Sequence, residues 1–217
     1  MEERIEKTAD YVRNYLFDMA EKRSGPYVDP DYRWQHTLRV TQIGKQIAEE
    51  EGANVEQVLI ACLLHDMAHF DDDANYRDHG RLAARICRPF LSQLGYSGEE
   101  MEAICYAVAA HVDGEADFKH PPTLEAAVVT DADNIDRFSA YRILLFCQPE
   151  VYDFKGLVKK LEERLAVLRD YRGKRMMETL TGHHLFNEKL DRQIEFYEAI
   201  LAQNEITVLP EIISAVK

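Results

Sequence analysis

An all-α fold is what this sequence predicts, and two observations carry the prediction. Almost every segment repeats apolar residues at three- and four-residue spacing, and runs of strict apolar-polar alternation, the mark of a half-buried strand, are nearly absent. With 217 residues, 46% of them hydrophobic and 30% charged, the chain can bury a full core without disulfide staples. A single domain, 1–217, is expected.

The first helix covers about 2–22 and is closed by Ser24, Gly25 and Pro26. A second opens with Asp29 as cap and Pro30 in its first turn, where a missing N–H costs nothing, and runs to Gly52. The third starts at Asn54, with Gln57 placed to close a capping box, and passes through VLIACLLHDMAHF before the acidic stretch Asp71 to Asp73, a solvated turn. A fourth spans about 76–94 and stops at Gly95; the fifth begins with the box Ser97 to Glu100 and reaches His111. Residues 112–122 form a loop, a helix follows from Thr123, and three or four more fill 141–204. The closing residues, 205–217, read as a tail.

Five of eight histidines fall between positions 36 and 111, and their placement matters more than their number. His36 shares a helical stripe with Val40, Ile43 and Ile47; His65 follows Val58, Ala61 and Cys62, and His111 follows Ile104, Ala107 and Val108, at the same inward-facing offsets. Asp131 points inward behind Ala127 and Val128. Buried imidazoles and carboxylates on separate helices must find partners, and a divalent cation satisfies them together. Mixed nitrogen and oxygen donors suit manganese, iron(II), nickel, cobalt or zinc.

The pair His65-Asp66 closing an apolar run, with His36 before it in DYRWQHTLRV and Asp131 after it in VVTDADNIDRF, resembles the HD superfamily of metal-dependent phosphohydrolases. The resemblance spans roughly 30–140. It implies a helical bundle of eight to ten helices, with a core at about 30–140 and an outer helical layer at 141–204. It also implies a metal held by His36, His65, Asp66 and Asp131, with His65 and Asp66 at the catalytic centre. Some branches bind a second ion through two further histidines, and His79 and His111 stand at fitting places. The alternatives are one ion with these two histidines holding substrate phosphate, or two ions bridged by Asp66. Asp131 is preferred over Asp133 and Asp136 because it closes the run AAVVT. His69 shares the face of His65 and is expected beside the site.

The activity implied is hydrolysis of a phosphate monoester or phosphodiester, in a nucleotide or related small molecule, by attack of a metal-activated water. Arg39, Arg81 and Lys119 are candidates to neutralise substrate phosphate. No Gly-rich phosphate loop, GxSxG elbow or paired Cys-His nucleophile offers another route. A non-catalytic sensor on the same fold, or a di-iron oxygenase, are the competing readings. Twenty-six Lys+Arg against thirty-nine Asp+Glu give a net charge of −13, which repels polyanions and argues against a long nucleic acid as partner. No stretch approaches the ~18 apolar residues of a membrane span, and the amphipathic start is unlike a signal peptide, so a cytoplasmic location is expected. Cys62, Cys87, Cys105 and Cys147 are widely spaced in apolar segments and read as reduced thiols. His183-His184 reads as a helix-end pair. The C-terminal helices are expected to cover a pocket mouth or to form a homodimer face.

Overall fold

The computed structural model describes residues 1–23, 28–71, 77–150 and 152–206, without the side chains of Glu150 and residues 204–206. Ser24, Gly25 and Pro26, Asp72 and Asp73, and the tail from 207 lie outside the described residues. Within them the chain is all-α, with nine α-helices and no strand. It divides into two compact units: Met1–Asp136 with Glu178–Gly182, and Arg137–Met177 with the chain from His183 onward.

The first unit holds α1 (Glu2–Glu21), α2 (Pro30–Glu51), α3 (Val55–Leu64), α4 (His79–Gln93), α5 (Gly98–Ala110) and α6 (Leu124–Asp136). α3 lies at its centre, with α1, α2, α5 and α6 packed around it. Every residue from Val58 to Leu64 is buried, which is why this helix is apolar on all sides. α5 is built the same way from Ile104 to Ala110. α1 buries one stripe, Thr8, Val12, Leu16 and Ala20, at four-residue intervals. α2 and α3 approach closely at Gly44, where a Cβ would stand 2.6 Å from Cys62 Sγ.

Caps set the helix starts. Asp29 accepts from Tyr32 N at 2.8 Å, and Ser97 and Glu100 close both halves of their box. Asn54 makes one half, accepting from Gln57 N at 3.1 Å, while its own N–H goes to Glu125 Oε1 at 2.9 Å. α2 stops at Gly52, whose φ of 75° is open to glycine at little cost.

One expected helix is shorter than its apolar run. α3 stops at Leu64, and the chain continues through tight turns, Met67 N to Leu64 O, His69 N to Asp66 O and Asp71 N to Ala68 O, at 3.1, 2.9 and 3.0 Å. The run stays apolar because Met67, Ala68 and Phe70 are buried, not because they are helical.

The second unit contains α7 (Ala140–Cys147), a 3-10 turn (Gln148–Glu150), α8 (Phe154–Arg172) and the greater part of α9 (Leu180–Ile206). α8 buries Leu161, Leu165 and Leu168, and α9 buries Phe186, Leu190, Gln193 and Tyr197. Phe138 meets Phe186 edge to face at 4.7 Å. No residue of α7 is buried. The four cysteines form no disulfide among the described residues, and Cys62, Cys87 and Cys105 are buried. No helix among the described residues is long and apolar enough to cross a membrane.

Candidate metal centre

The site forms where helices of the first unit begin and end. His65 is the residue after α3, His111 the residue after α5, and His79 the first of α4. His36 comes from the second turn of α2. Asp66, next to His65 in the turn after α3, lies among all four. Its Oδ2 is 3.4 Å from His36 Nε2 and 3.5 Å from His65 Nε2, and its Oδ1 is 2.9 Å from His79 Nε2 and 3.9 Å from His111 Nε2. All five side chains are buried.

Three imidazoles are oriented by what holds Nδ1. His65 Nδ1 donates to Cys62 O at 2.7 Å and His111 Nδ1 to Val108 O at 2.8 Å, because a carbonyl can only accept. His36 Nδ1 meets Asp136 Oδ2 at 2.8 Å, and Asp136 also takes a two-pronged contact from Arg39, at 2.8 and 3.0 Å. Each ring therefore presents Nε2 to Asp66, the outer-sphere pattern of metal-ligating histidines. α4 comes close enough to bring His79 in because Gly80 lies against His111: a Cβ there would be 2.8 Å from the ring and from Val108 O.

The donor set tests directly for a cation. His65 Nε2 and His36 Nε2 face one another at 3.3 Å, and in neutral rings whose Nδ1 carries the proton both atoms are lone pairs. Only a proton or a cation between such atoms and Asp66 relieves them. Two sets, His36, His65, Asp66 and Asp66, His79, His111, bring one donor atom each within 4.8 Å of one another. They share Asp66, and the residues fit one ion or a bridged pair.

Carboxylates and burial together set the charge of the cluster. Burial works against a charged His36, but Asp133, Asp136 and Asp66 around it hold its pKa well above the usual value. Burial would raise Asp66; Arg33 and the surrounding imidazoles outweigh it and hold the carboxylate well below its usual range. Burial lowers His65, and lowers His111 and His69 to about 4, so these rings are neutral. Asp136, despite its burial, is held at about 2 by His36 and Arg39.

Asp131 is a correction. Its carboxylate accepts Glu178 N at 2.9 Å, Thr179 N at 2.8 Å and Thr179 Oγ1 at 2.7 Å, so it anchors the Glu178–Gly182 segment and does not face the histidines. The α6 carboxylate beside them is Asp133, whose Oδ1 is 3.2 Å from His36 Nε2 and 3.9 Å from His65 Nε2. The three residues expected to contact phosphate have these neighbours. Arg39 is committed to Asp136, and Arg81 reaches Asp113 at 2.8 and 2.9 Å and Asp78 at 3.1 Å. Lys119 is exposed and lines a cavity of the 112–122 loop with Tyr106, Phe118 and His120. His69 does stand beside the site, its Nε2 taking Arg33 Nη2 at 2.7 Å. His183 contacts Asn187 at 3.1 Å within α9.

The sequence reading misses Arg33 and ranks Asp133 and Asp136 behind Asp131. Arg33, ion-paired to Asp66, lies one turn before His36 on the same face of α2, a spacing that could have exposed it. Asp133 and Asp136 are three apart and share a face of α6, which points both toward His36.

Fold and site together define an all-α protein built around a buried histidine-aspartate cluster. Residues 33–137 match the family model of the HD domain. The similarity extends to ribonuclease Y of Chloroflexus aurantiacus, 37% identical over 101 residues, 46% of this chain but 18% of that protein's length. Among solved structures, an HD superfamily hydrolase from an uncultured Thermotogales bacterium superposes with a TM-score of 0.62 at 20% identity, covering 89% of this chain and 91% of that one. Bacillus subtilis YpgQ, solved in complex with ADP, gives 0.56 at 21% identity, with 95% and 97% covered.

Proposed function

We propose that this chain is a metal-dependent phosphohydrolase that cleaves a phosphate monoester or phosphodiester in a nucleotide or related small molecule. The observation carrying this reading is one carboxylate, Asp66, shared by two pairs of histidines. His36, His65 and Asp66, with Asp133 beside them, would hold one divalent ion of manganese, iron, nickel, cobalt or zinc; Asp66, His79 and His111 would hold a second. When bound, such an ion lowers the pKa of water and polarises a phosphoryl oxygen. Asp66 would orient the attacking water or accept its proton. Asp136 and the carbonyls of Cys62 and Val108 keep three imidazoles aimed while this happens. Arg33, whose side chain is 19% exposed, pairs with Asp66 and would stand beside the bound substrate.

A nucleotide-sized substrate is supported by the complex of YpgQ with ADP. The net charge of −13 speaks against long nucleic acids, even though ribonuclease Y shares the matching region. The test is metal analysis of the purified protein, followed by a panel of nucleotides, a generic phosphodiester and an oligoribonucleotide under each metal. His65→Ala and Asp66→Ala are expected to lose both bound metal and turnover. Full activity in a metal-free double variant would sink the reading. Metal-dependent nucleotide binding without turnover on any substrate would move it to a sensor, and oxygen-dependent turnover to a di-iron oxygenase.

A further inference from the structure

Outside the histidine cluster, Arg81 joins the two stretches of chain that carry His79 and His111. Arg81 stands two residues after His79, and Asp113 two residues after His111. Nη2 of Arg81 donates to both carboxylate oxygens of Asp113, at 2.8 and 2.9 Å, and Nη1 donates to Arg77 O at 2.8 Å and to Asp78 Oδ1 at 3.1 Å. A single guanidinium thus ties the residues directly before His79 to the turn directly after His111. Asp113 is held from its other side by Glu115 N, 3.2 Å from Oδ1, and that turn is closed by Gly114 N donating to Ala110 O at 2.8 Å. The Glu115 carboxylate is a more distant partner of Arg81, at 3.8 Å, and is exposed. The Arg81 side chain is 13% exposed.

The facing rings supply little hold of their own. His79 Nε2 lies 3.1 Å from His111 Nε2 and 2.9 Å from Asp66 Oδ1, so it has at most one N–H to share between two acceptors. Ligands fixed in place before an ion arrives spare it the cost of ordering them. A step of two residues along a helix turns a side chain through about 200°, so Arg81 lies across α4 from His79 and acts on it through the backbone. The same face of α4 carries an internal comparison: Arg85 pairs with Asp117, but each stands six residues beyond its histidine. Exposed ion pairs add little to stability wherever they stand, so what distinguishes Arg81 from Arg85 is the closeness of its pair to two candidate ligands.

We propose that Arg81 is a positioning residue of the metal centre: by gripping Asp113 it holds His79 against His111 and so sets the affinity for a second ion. This rests on the reading of Asp66, His79 and His111 as that ion's ligands. The experiment is calorimetric titration of the full chain, stripped of metal by a chelator, with cobalt(II), repeated on Arg81→Gln, Asp113→Asn, the double variant, Arg81→Lys, Arg85→Gln and His79→Ala. Wild type is expected to take up two ions per chain in two steps, and His79→Ala only the first. Arg81→Gln and Asp113→Asn should each weaken the second step by roughly 10- to 100-fold and leave the first within about twofold. The double variant should lose no more than either single one, because the two side chains act as one unit. Arg81→Lys, which keeps the charge but cannot span Asp78 and Asp113 with one planar group, should fall between wild type and Arg81→Gln. Arg85→Gln should match wild type, and circular dichroism with thermal melts shows that each variant is folded. The proposal is overturned if the second step survives Arg81→Gln unchanged, if both steps weaken alike, or if Arg85→Gln has the same effect as Arg81→Gln. A wild type that binds one ion overturns it while leaving hydrolysis at a single-ion centre standing; a wild type that binds none overturns both.

Discussion

On α6 a step of two residues turns a side chain through about 200°, so Asp131 and Asp133 serve opposite partners. Asp133→Ala is expected to weaken metal binding by roughly 10- to 100-fold with little loss of thermal stability. Asp131→Ala strips the acceptor from Glu178 N, Thr179 N and Thr179 Oγ1 and should cost about 1–3 kcal/mol while leaving metal affinity nearly unchanged. Metal titration and thermal melts of both variants separate the two roles; the reverse pattern would return Asp131 to the metal. His36 supplies a second prediction. Its pKa is raised in the metal-free site, so at neutral pH it carries a proton that an incoming cation must displace. Affinity should therefore fall as pH drops, by about tenfold per unit for one proton exchanged. Calorimetry in buffers of different ionisation enthalpy should show release of about one proton per ion. Affinity independent of pH between 6 and 8 would contradict this. At this scale helical offsets exposed His36, His65 and His111, and the resemblance to the HD superfamily added Asp66 and His79. The sequence could not rank the three carboxylates of DADNID, which differ only in angle around one helix.

Elements place the site by where they stop. His65 and His111 follow the last residues of α3 and α5, and both turn Nδ1 back to the carbonyl three residues earlier. That arrangement leaves Nε2 pointing outward, the same solution used twice. α4 contributes His79 only if it lies tightly on α5, and Gly80 is the residue that permits this. Gly80→Ala would press a methyl group to 2.8 Å from the His111 ring, so α4 must shift and carry His79 away from Asp66. A loss of about 1–3 kcal/mol is expected for such overpacking. In a protein that binds two ions, metal content should fall toward one per chain; unchanged stoichiometry and stability would refute the role given to Gly80. Helix starts at Asp29 and Ser97 were legible because capping is local chemistry. The end of α3 was not, since burial on every side erases the periodicity that would have marked it.

At the scale of the whole molecule, Asp66, Asp131, Asp133 and Asp136, four of the residues behind the net charge of −13, are buried in the first unit. Composition reported their number and not their location. The two units also differ in how deeply their helices are held. α3 is buried from Val58 to Leu64 and α5 from Ile104 to Ala110, whereas α7 is eight residues long with none buried; Leu144 is 63% exposed. Local opening is least costly where few apolar contacts must be broken. Backbone amides of α7 should therefore exchange with heavy water early, long before those of α3.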